Sequence, residues 1–302
     1  MNVLFASTVD KPARWLPLLE RALPQDRFFL EPGPQIDIAL VAKPPAGTFE
    51  GSPNLKLIQS LWMGVEQLLA DPSLPGEVPL ARLIDPGMVR AMSESVLAHV
   101  LDWHRQHYLY RNQQRDRRWK HLPQYMAADR TIGLLGLGEL GTDAAKKLLA
   151  LDFKVRGWSR RPKHLAGVDC FTQLNEVLKR SDVLVCLLPL TSQTRGILDA
   201  KAFARMPQGG CVINVTRGGH VIERDLLAAL DPGHLSHAYL DVFETEPLPR
   251  EHPFWTHPKV TITPHVAALT EPRSALPKVV ANIERVRRGE RPEGLVDRAA
   301  GY

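Results

Sequence analysis

The stretch Thr131-Ile-Gly-Leu-Leu-Gly136-Leu-Gly138-Glu-Leu-Gly141 decides the fold of this chain. An apolar strand, Thr131–Leu135, leads into a GxGxxG loop that opens a helix, which is the context in which such a loop binds a dinucleotide. Gly136 permits the tight turn, Gly138 lets the backbone approach a pyrophosphate, and Gly141 allows the helix to pack closely on the strand. The stretch therefore predicts a dinucleotide site. The alternative is a glycine-rich connection without a ligand.

Short apolar runs alternate with amphipathic segments on both sides of this stretch. The predicted strands are Asn2–Ser7, Ile36–Ala42, Leu55–Leu61, Leu80–Ile84, Thr131–Leu135, Lys154–Trp158, Asp182–Leu187, Cys211–Val215, His237–Asp241 and Val260–Ile262. The predicted helices are Arg14–Leu23, Val65–Leu69, Met88–Arg118, Leu140–Leu149, Leu174–Leu178, Lys201–Ala204, Arg224–Leu230 and Glu271–Gly289. This rhythm is typical of doubly wound parallel sheets. We expect an α/β protein with two Rossmann-like domains and a cleft between them, the first formed by 1–97 plus 270–302 and the second by 98–269.

Composition and charge narrow the possible partners. The chain has 302 residues, of which 44% are hydrophobic and 24% are charged, as in an ordinary globular protein. The net charge of +5 suits a phosphate-bearing cofactor. The densest basic run, Arg111–Lys120, is interpreted as the solvated end of a helix, because no nucleic-acid-binding motif accompanies it. We therefore predict no nucleic-acid partner.

The cysteines and the apolar runs indicate a cytoplasmic protein. The chain has three cysteines, Cys170, Cys186 and Cys211. They form no CxxC pair, so a reducing compartment is favoured over a disulfide framework or a zinc site. His104 and His107 could pair on a metal, but no carboxylate cluster supports this, and we predict no metal. Because no basic segment precedes the Met1–Ser7 strand and no apolar run reaches about 18 residues, neither a signal peptide nor a membrane span is expected.

The segment that follows Lys154–Trp158 indicates which dinucleotide is bound. This strand is expected to end beside the adenosine ribose, where an NAD site usually has an acid. Here Ser159, Arg160 and Arg161 follow, with Lys163 close by. Two guanidinium groups suit a 2′-phosphate. The segment predicts NADPH as the preferred cofactor, with NADH possible. The alternative is a solvated basic turn.

Three polar residues, Arg217, Glu246 and His265, lie in apolar surroundings further along the chain. Arg217 follows the predicted strand Cys211–Val215, and Glu246 lies in a stretch that begins on the strand His237–Asp241. Ligands bind at the carboxyl ends of strands in open α/β sheets. Taken singly, the three could also be a loop cap, a surface acid and a structural histidine.

Five motifs occur here in one order. They are the GxGxxG loop, Leu188-Pro-Leu-Thr191, Asn214-Val-Thr-Arg-Gly-Gly219, Leu240-Asp-Val-Phe-Glu-Thr-Glu-Pro247 and Thr263-Pro-His265. In this respect the stretch from Thr131 to Ala268 resembles the D-2-hydroxyacid dehydrogenases, and most of all their glyoxylate/hydroxypyruvate reductase branch. The first hundred residues match weakly, through Ser60-Leu-Trp-Met-Gly-Val65 and Asp85-Pro-Gly-Met88. Where many members have a small residue before Ala-Gly, this chain has Trp62-Met63-Gly64, which either packs in the core or changes the shape of the pocket.

The resemblance implies an NADP-dependent enzyme that reduces a small 2-oxo acid, such as glyoxylate or hydroxypyruvate, to a D-2-hydroxy acid. His265 is then the general acid, a role that suits an imidazole near neutral pH. Glu246 orients the ring and favours its protonated form, and Arg217 binds the substrate carboxylate with its planar fork. The substrate-binding residues implied are Trp62, Met63, Gly64 and Arg217.

The resemblance also implies cofactor contacts and an assembly. The implied cofactor-binding residues are Gly136, Gly138, Glu139, Leu140, Gly141, Ser159, Arg160, Arg161, Leu188, Pro189, Thr194, Val215, Thr216, Asp241 and Ala267. Of these, Asp241 accepts from the nicotinamide carboxamide. The first domain is the flavodoxin-like substrate domain, the second binds the cofactor, and a homodimer is expected. One alternative is a non-catalytic dinucleotide-sensing regulator on this fold. Another is an enzyme for a different substrate class, such as an L-amino acid or formate.

Overall fold

The computed structural model describes residues 1–301, which form two compact units. Unit 1 comprises Met1–Met88 together with 269–301, and unit 2 comprises Val89–Ala268. Within residues 1–301, no helix combines the length and the apolar character that crossing a bilayer would require.

The elements alternate between strand and helix along most of the chain. The strands are β1 (Asn2–Ser7), β2 (Arg27–Phe29), β3 (Ile38–Ala42), β4 (Leu57–Ser60), β5 (Leu80–Ala81), β6 (Thr131–Leu135), β7 (Lys154–Trp158), β8 (Val168–Phe171), β9 (Val183–Cys186), β10 (Gly210–Asn214), β11 (Leu235–Leu240) and β12 (Val260–Ile262). The α-helices are α1 (Pro12–Ala22), α2 (Glu66–Leu69), α3 (Pro86–His104), α4 (His107–Arg115), α5 (Glu139–Leu149), α6 (Leu174–Leu178), α7 (Ala200–Arg205), α8 (Glu223–Leu230) and α9 (Pro272–Arg287). Short 3-10 turns cover Ala127–Asp129, Gly218–His220 and Pro253–Trp255.

Unit 1 contains a parallel sheet with the strand order β2-β1-β3-β4-β5. Every residue of β3 is buried, as expected for a parallel strand that is covered on both faces. The C-terminal helix α9 belongs to this unit: Asn282 donates to the side chain of Gln59 at 2.6 Å. Just before α9, the Thr270 hydroxyl donates to the Leu61 carbonyl at 2.9 Å. The chain therefore returns to the unit in which it began.

Unit 2 contains a seven-stranded parallel sheet with the order β12-β11-β10-β9-β6-β7-β8. Successive residues of β9 lie in different apolar clusters. Val183 and Val185 belong to one cluster, and Leu184 and Cys186 belong to the other. The sheet is thus covered on both faces, which confirms the predicted α/β class with two parallel sheets. The chain adds β7 and β8 on one side of β6 and then β9 to β12 on the other side, so the direction of winding switches between β6 and β9. Ligands bind at the carboxyl edge of a sheet beside such a switch point.

The structure differs from the predicted elements at three places. The short strands β2 and β8 were not predicted, because each lies at a sheet edge and mixes polar with apolar residues. The prediction of one helix over Met88–Arg118 is wrong. Gln106 adopts a left-handed conformation with φ 59°, which ends the run after α3 and begins α4.

Candidate active site

His265 and Glu246 form a hydrogen-bonded pair in unit 2. The Nδ1 atom of His265 lies 2.7 Å from Oε2 of Glu246. The other carboxylate oxygen, Oε1, accepts the Phe243 amide at 2.9 Å, so both oxygens of Glu246 are fixed. Burial raises the pKa of Glu246, but the hydrogen bonds from His265 and Phe243 outweigh this and lower it below the ordinary value. The pair leaves the Nε2 atom of His265 available for proton transfer.

The buried carboxylate of Asp241, just after β11, holds the loop that carries His265. It accepts the Thr263 hydroxyl at 2.6 Å and the amides of Val266 and Ala267, each at 2.9 Å. The Asp241 carbonyl accepts the His265 amide at 2.8 Å. These bonds keep His265 at φ 55°, a left-handed conformation that is uncommon outside glycine. Asp241 is fully buried, and its predicted bond to a nicotinamide carboxamide stays a prediction.

Arg217 lies beyond the end of β10, close against the segment that leads to Glu246. The Asn214 side chain donates to the Arg217 carbonyl at 2.8 Å, and the Arg217 guanidinium donates to the Thr216 carbonyl at 2.6 Å. A Cβ on the next residue, Gly218, would lie 1.8 Å from the carbonyl carbon of Phe243. Only glycine permits this approach, which places the Arg217 segment against the segment that carries Glu246, and the positive charge of Arg217 helps to lower the pKa of Glu246.

The glycine loop has the geometry of a dinucleotide site. Gly136 has φ 101°, and a Cβ there would lie 2.7 Å from the Leu187 carbonyl oxygen. A Cβ on Gly141 would lie 1.9 Å from the Gly136 carbonyl oxygen. By contrast, a Cβ on Gly138 meets no atom of residues 1–301 within 4 Å. The loop is tightly packed at Gly136 and Gly141, and there is space beside Gly138. Gly138 lies next to the start of α5, where backbone N–H groups favour an anion.

Basic side chains lie at the end of β7, beside this loop. Ser159 donates to the Arg161 carbonyl at 2.7 Å, and Arg160 donates to the Gln193 side chain at 3.0 Å. Lys163, which the sequence placed nearby, reaches the loop itself and donates to the Leu137 carbonyl. Arg160, Arg161 and Lys163 are exposed. The residues present therefore fit a phosphate at the ribose edge.

The other predicted site residues fall into two groups. Those of unit 2 follow the carboxyl ends of its strands or open α5: Glu139, Leu140, Leu188, Pro189, Thr194, Val215, Thr216 and Ala267. Thr194 is buried, and its hydroxyl donates to the Pro189 carbonyl at 2.7 Å. Trp62, Met63 and Gly64 lie in unit 1, in the partly buried loop between β4 and α2. The substrate role of this loop stays a prediction.

Sequence reasoning missed His220, a fully buried histidine in the 3-10 turn after Arg217. Its Nδ1 lies 3.0 Å from the Arg217 carbonyl oxygen, and its Nε2 lies 3.2 Å from the Pro189 carbonyl oxygen. The signal in the sequence is a single polar side chain between Gly218-Gly219 and Val221-Ile222, directly after the motif Asn214–Gly219.

Comparison with known proteins agrees with this site. Residues 97–267 match the family model described as D-isomer specific 2-hydroxyacid dehydrogenase, NAD binding domain. The chain is 42% identical over 313 aligned positions to glyoxylate/hydroxypyruvate reductase A of Serratia proteamaculans, and all of both chains is covered.

Two solved structures share the whole fold. One is a D-isomer specific 2-hydroxyacid dehydrogenase from Xanthobacter autotrophicus Py2 in complex with NADPH and MES. It is 42% identical with a TM-score of 0.96, over 100% of this chain and 99% of that one. The other is an NADPH-dependent glyoxylate/hydroxypyruvate reductase from Sinorhizobium meliloti in complex with NADP and sulfate. It is 39% identical with a TM-score of 0.94, over the same shares. The resemblance carried by the five motifs is thereby confirmed, and the chain belongs to the D-isomer specific 2-hydroxyacid dehydrogenase family.

Proposed function

We propose that this protein is an NADPH-dependent reductase that converts a small 2-oxo acid, such as glyoxylate or hydroxypyruvate, to the D-2-hydroxy acid. The observation that carries the proposal is the 2.7 Å pair of His265 and Glu246, with the backbone that follows Arg217 packed against the segment that leads to Glu246. The similarity to glyoxylate/hydroxypyruvate reductase A over the full chain supports the same substrate class.

The three residues match the needs of carbonyl reduction. A bound nicotinamide cofactor supplies the hydride to the carbonyl carbon. His265 gives a proton from Nε2 to the carbonyl oxygen, and Glu246 accepts from Nδ1 and fixes the orientation of the ring. Arg217 binds the substrate carboxylate and polarises the carbonyl, because its planar donors match a carboxylate better than an ammonium does.

The cofactor proposal rests on the glycine loop and the basic side chains beyond β7. The open face at Gly138 and the start of α5 suit the pyrophosphate, and Ser159, Arg160 and Arg161 suit a 2′-phosphate. The two related structures in complex with NADPH or NADP support this choice. NADH, which lacks the phosphate, is expected to bind more weakly.

We assign the substrate role to unit 1, through Trp62–Gly64, and the cofactor role to unit 2. The expected domain boundary after residue 97 lies within α3, as does the division at Met88. We also propose a cytoplasmic homodimer. A second copy would cover exposed apolar side chains such as Trp119 and Met126, and light scattering of the purified protein tests the homodimer.

The activity is tested by following NADPH oxidation by the purified protein with a panel of compounds. Glyoxylate and hydroxypyruvate are expected to be reduced. Formate with NADP, and an L-amino acid with NADP, test the other substrate classes and should give no reduction of the cofactor. NADPH binding without turnover of any 2-oxo acid would overturn the proposal and favour a dinucleotide-sensing regulator.

A further inference from the structure

Both ring nitrogens of the buried His220 face backbone carbonyl oxygens. Nδ1 lies 3.0 Å from the oxygen of Arg217, and Nε2 lies 3.2 Å from the oxygen of Pro189. A carbonyl oxygen only accepts, so each contact needs a ring N–H, and only the doubly protonated imidazolium has both. A neutral ring would donate to one carbonyl only, and its lone pair would face the other carbonyl, with the Thr216 hydroxyl 3.4 Å from Nδ1 as an alternative donor.

A second buried titratable group, the thiol of Cys186, interacts with this ring. Cys186, the last residue of β9, is fully buried. Burial opposes the thiolate, but His220 outweighs it and lowers the pKa of Cys186. Burial also opposes the imidazolium, but the thiolate, together with the carbonyls of Pro189 and Arg217, outweighs it and raises the pKa of His220. The Thr216 hydroxyl, 3.4 Å from Nδ1 and 3.8 Å from Sγ, lies between the two groups.

The two carbonyls belong to different parts of the site. Arg217 binds the substrate carboxylate under the proposed function, on which this inference rests, and Pro189 lies in the loop assigned to the cofactor. We propose that His220 is a positioning residue that ties the Arg217 segment to the Pro189 loop by donating one N–H to each carbonyl. It touches neither substrate nor cofactor, and it sets where both are held.

Two conservative substitutions separate the two bonds. The amide nitrogen of asparagine can take the place of Nδ1, and that of glutamine can take the place of Nε2. His220→Asn therefore keeps the bond to Arg217 and loses the bond to Pro189, and His220→Gln does the reverse. We expect His220→Gln to raise KM for the 2-oxo acid about tenfold or more, with the Kd of NADPH near the wild-type value. His220→Asn should raise the Kd of NADPH by a similar factor, with a smaller change in KM.

The matched control is His237→Gln. His237 is another buried histidine of unit 2, and its Nε2 lies 2.8 Å from the Thr261 hydroxyl. This variant should lower the midpoint of urea unfolding without separating KM from Kd. The proposal would be overturned if KM and Kd changed by the same factor within each of the two variants, His220→Asn and His220→Gln. It would also be overturned if neither variant changed KM or Kd.

Two measurements keep this test independent of the proposed function and of variant folding. The Kd of NADPH can be measured by fluorescence without turnover. The comparison of His220→Asn with the wild type is therefore valid even if the wild type reduces no 2-oxo acid. NMR of isotope-labelled histidine in the wild-type protein reports the ring directly. At neutral pH, imidazolium shifts with two N–H protons are expected for His220, and a neutral tautomer would overturn the proposal.

Discussion

Replacing Gly138 with alanine separates the fold of the glycine loop from its binding role. A Cβ at this position meets no atom of the described part of the chain within 4 Å, and the backbone has φ −77° and ψ −159°, an extended conformation that any residue adopts. Gly138→Ala should therefore leave the folded state intact. Because alanine restricts the unfolded chain, the free energy of unfolding should rise by about 0.4–1 kcal/mol.

The same substitution, Gly138→Ala, should weaken the binding of the cofactor. If a pyrophosphate packs against the Gly138 backbone, the added methyl group occupies the space that the phosphate oxygens need. Overpacking of this kind costs about 1–3 kcal/mol. That range corresponds to an increase of about 5- to 150-fold in the Kd of NADPH.

Gly141→Ala is the matched control, because the same methyl group there would lie 1.9 Å from the Gly136 carbonyl oxygen. It should lower the free energy of unfolding by about 1–3 kcal/mol or more, since a backbone atom must move. Urea unfolding and fluorescence titration with NADPH measure the two quantities for each variant. Wild-type NADPH affinity in Gly138→Ala would refute the pyrophosphate assignment, and wild-type stability in Gly141→Ala would refute the packing argument.

Three further substitutions test the other parts of the site. Arg217→Ala should lower kcat/KM for the 2-oxo acid by about 100- to 1000-fold, and Arg217→Lys should restore it only partly, because lysine lacks the planar fork; full rescue by lysine would argue for a simple charge. Replacing both Arg160 and Arg161 with alanine should raise KM for NADPH but not for NADH. In the wild type, the preference for NADPH over NADH should weaken in high salt. Equal effects of the substitution on KM for both cofactors would exclude the 2′-phosphate role. In the folded protein the pKa of Glu246 lies below its ordinary value of 4.5. The charged carboxylate therefore stabilises the fold at pH values above 4.5, and this stabilisation is lost as the pH falls through the pKa of the folded state. Glu246→Gln should therefore unfold at lower urea concentration than the wild type at neutral pH, with the difference shrinking as the pH falls below 4.5. A difference that does not vary with pH would contradict the bond to His265.

The features that the sequence predicted depend on local chemistry. The strand β6 and the glycine loop follow from an apolar run and from backbone positions that no side chain can occupy, as the 1.9 Å approach at Gly141 shows. Arg217, Glu246 and His265 were recognised because each lies in a short motif of a known family. Their arrangement in space could not be read from spacing alone, since it depends on the close contact of Gly218 with Phe243 and on the bonds by which Asp241 holds the His265 loop.

The features that the sequence missed depend on contacts between distant segments. His220 bonds to Pro189, 31 residues earlier, and no local pattern marks such a pair. Asp241 was predicted to contact the cofactor, but its bonds to Thr263 and Ala267 appear only once β11 and β12 lie side by side. The break at Gln106 was missed because the helical spacing of apolar residues continues up to Trp103, and nothing local in the sequence marks the left-handed conformation of Gln106.

The central claim is that His265, held by Glu246, gives the proton that completes reduction of a 2-oxo acid. The most direct test is the steady-state rate of NADPH oxidation by His265→Gln with glyoxylate and hydroxypyruvate, together with the Kd of NADPH. We predict a fall in kcat of about 100-fold or more, because general acid catalysis contributes at least that much, with the Kd unchanged. Near-normal turnover by the variant would contradict the account.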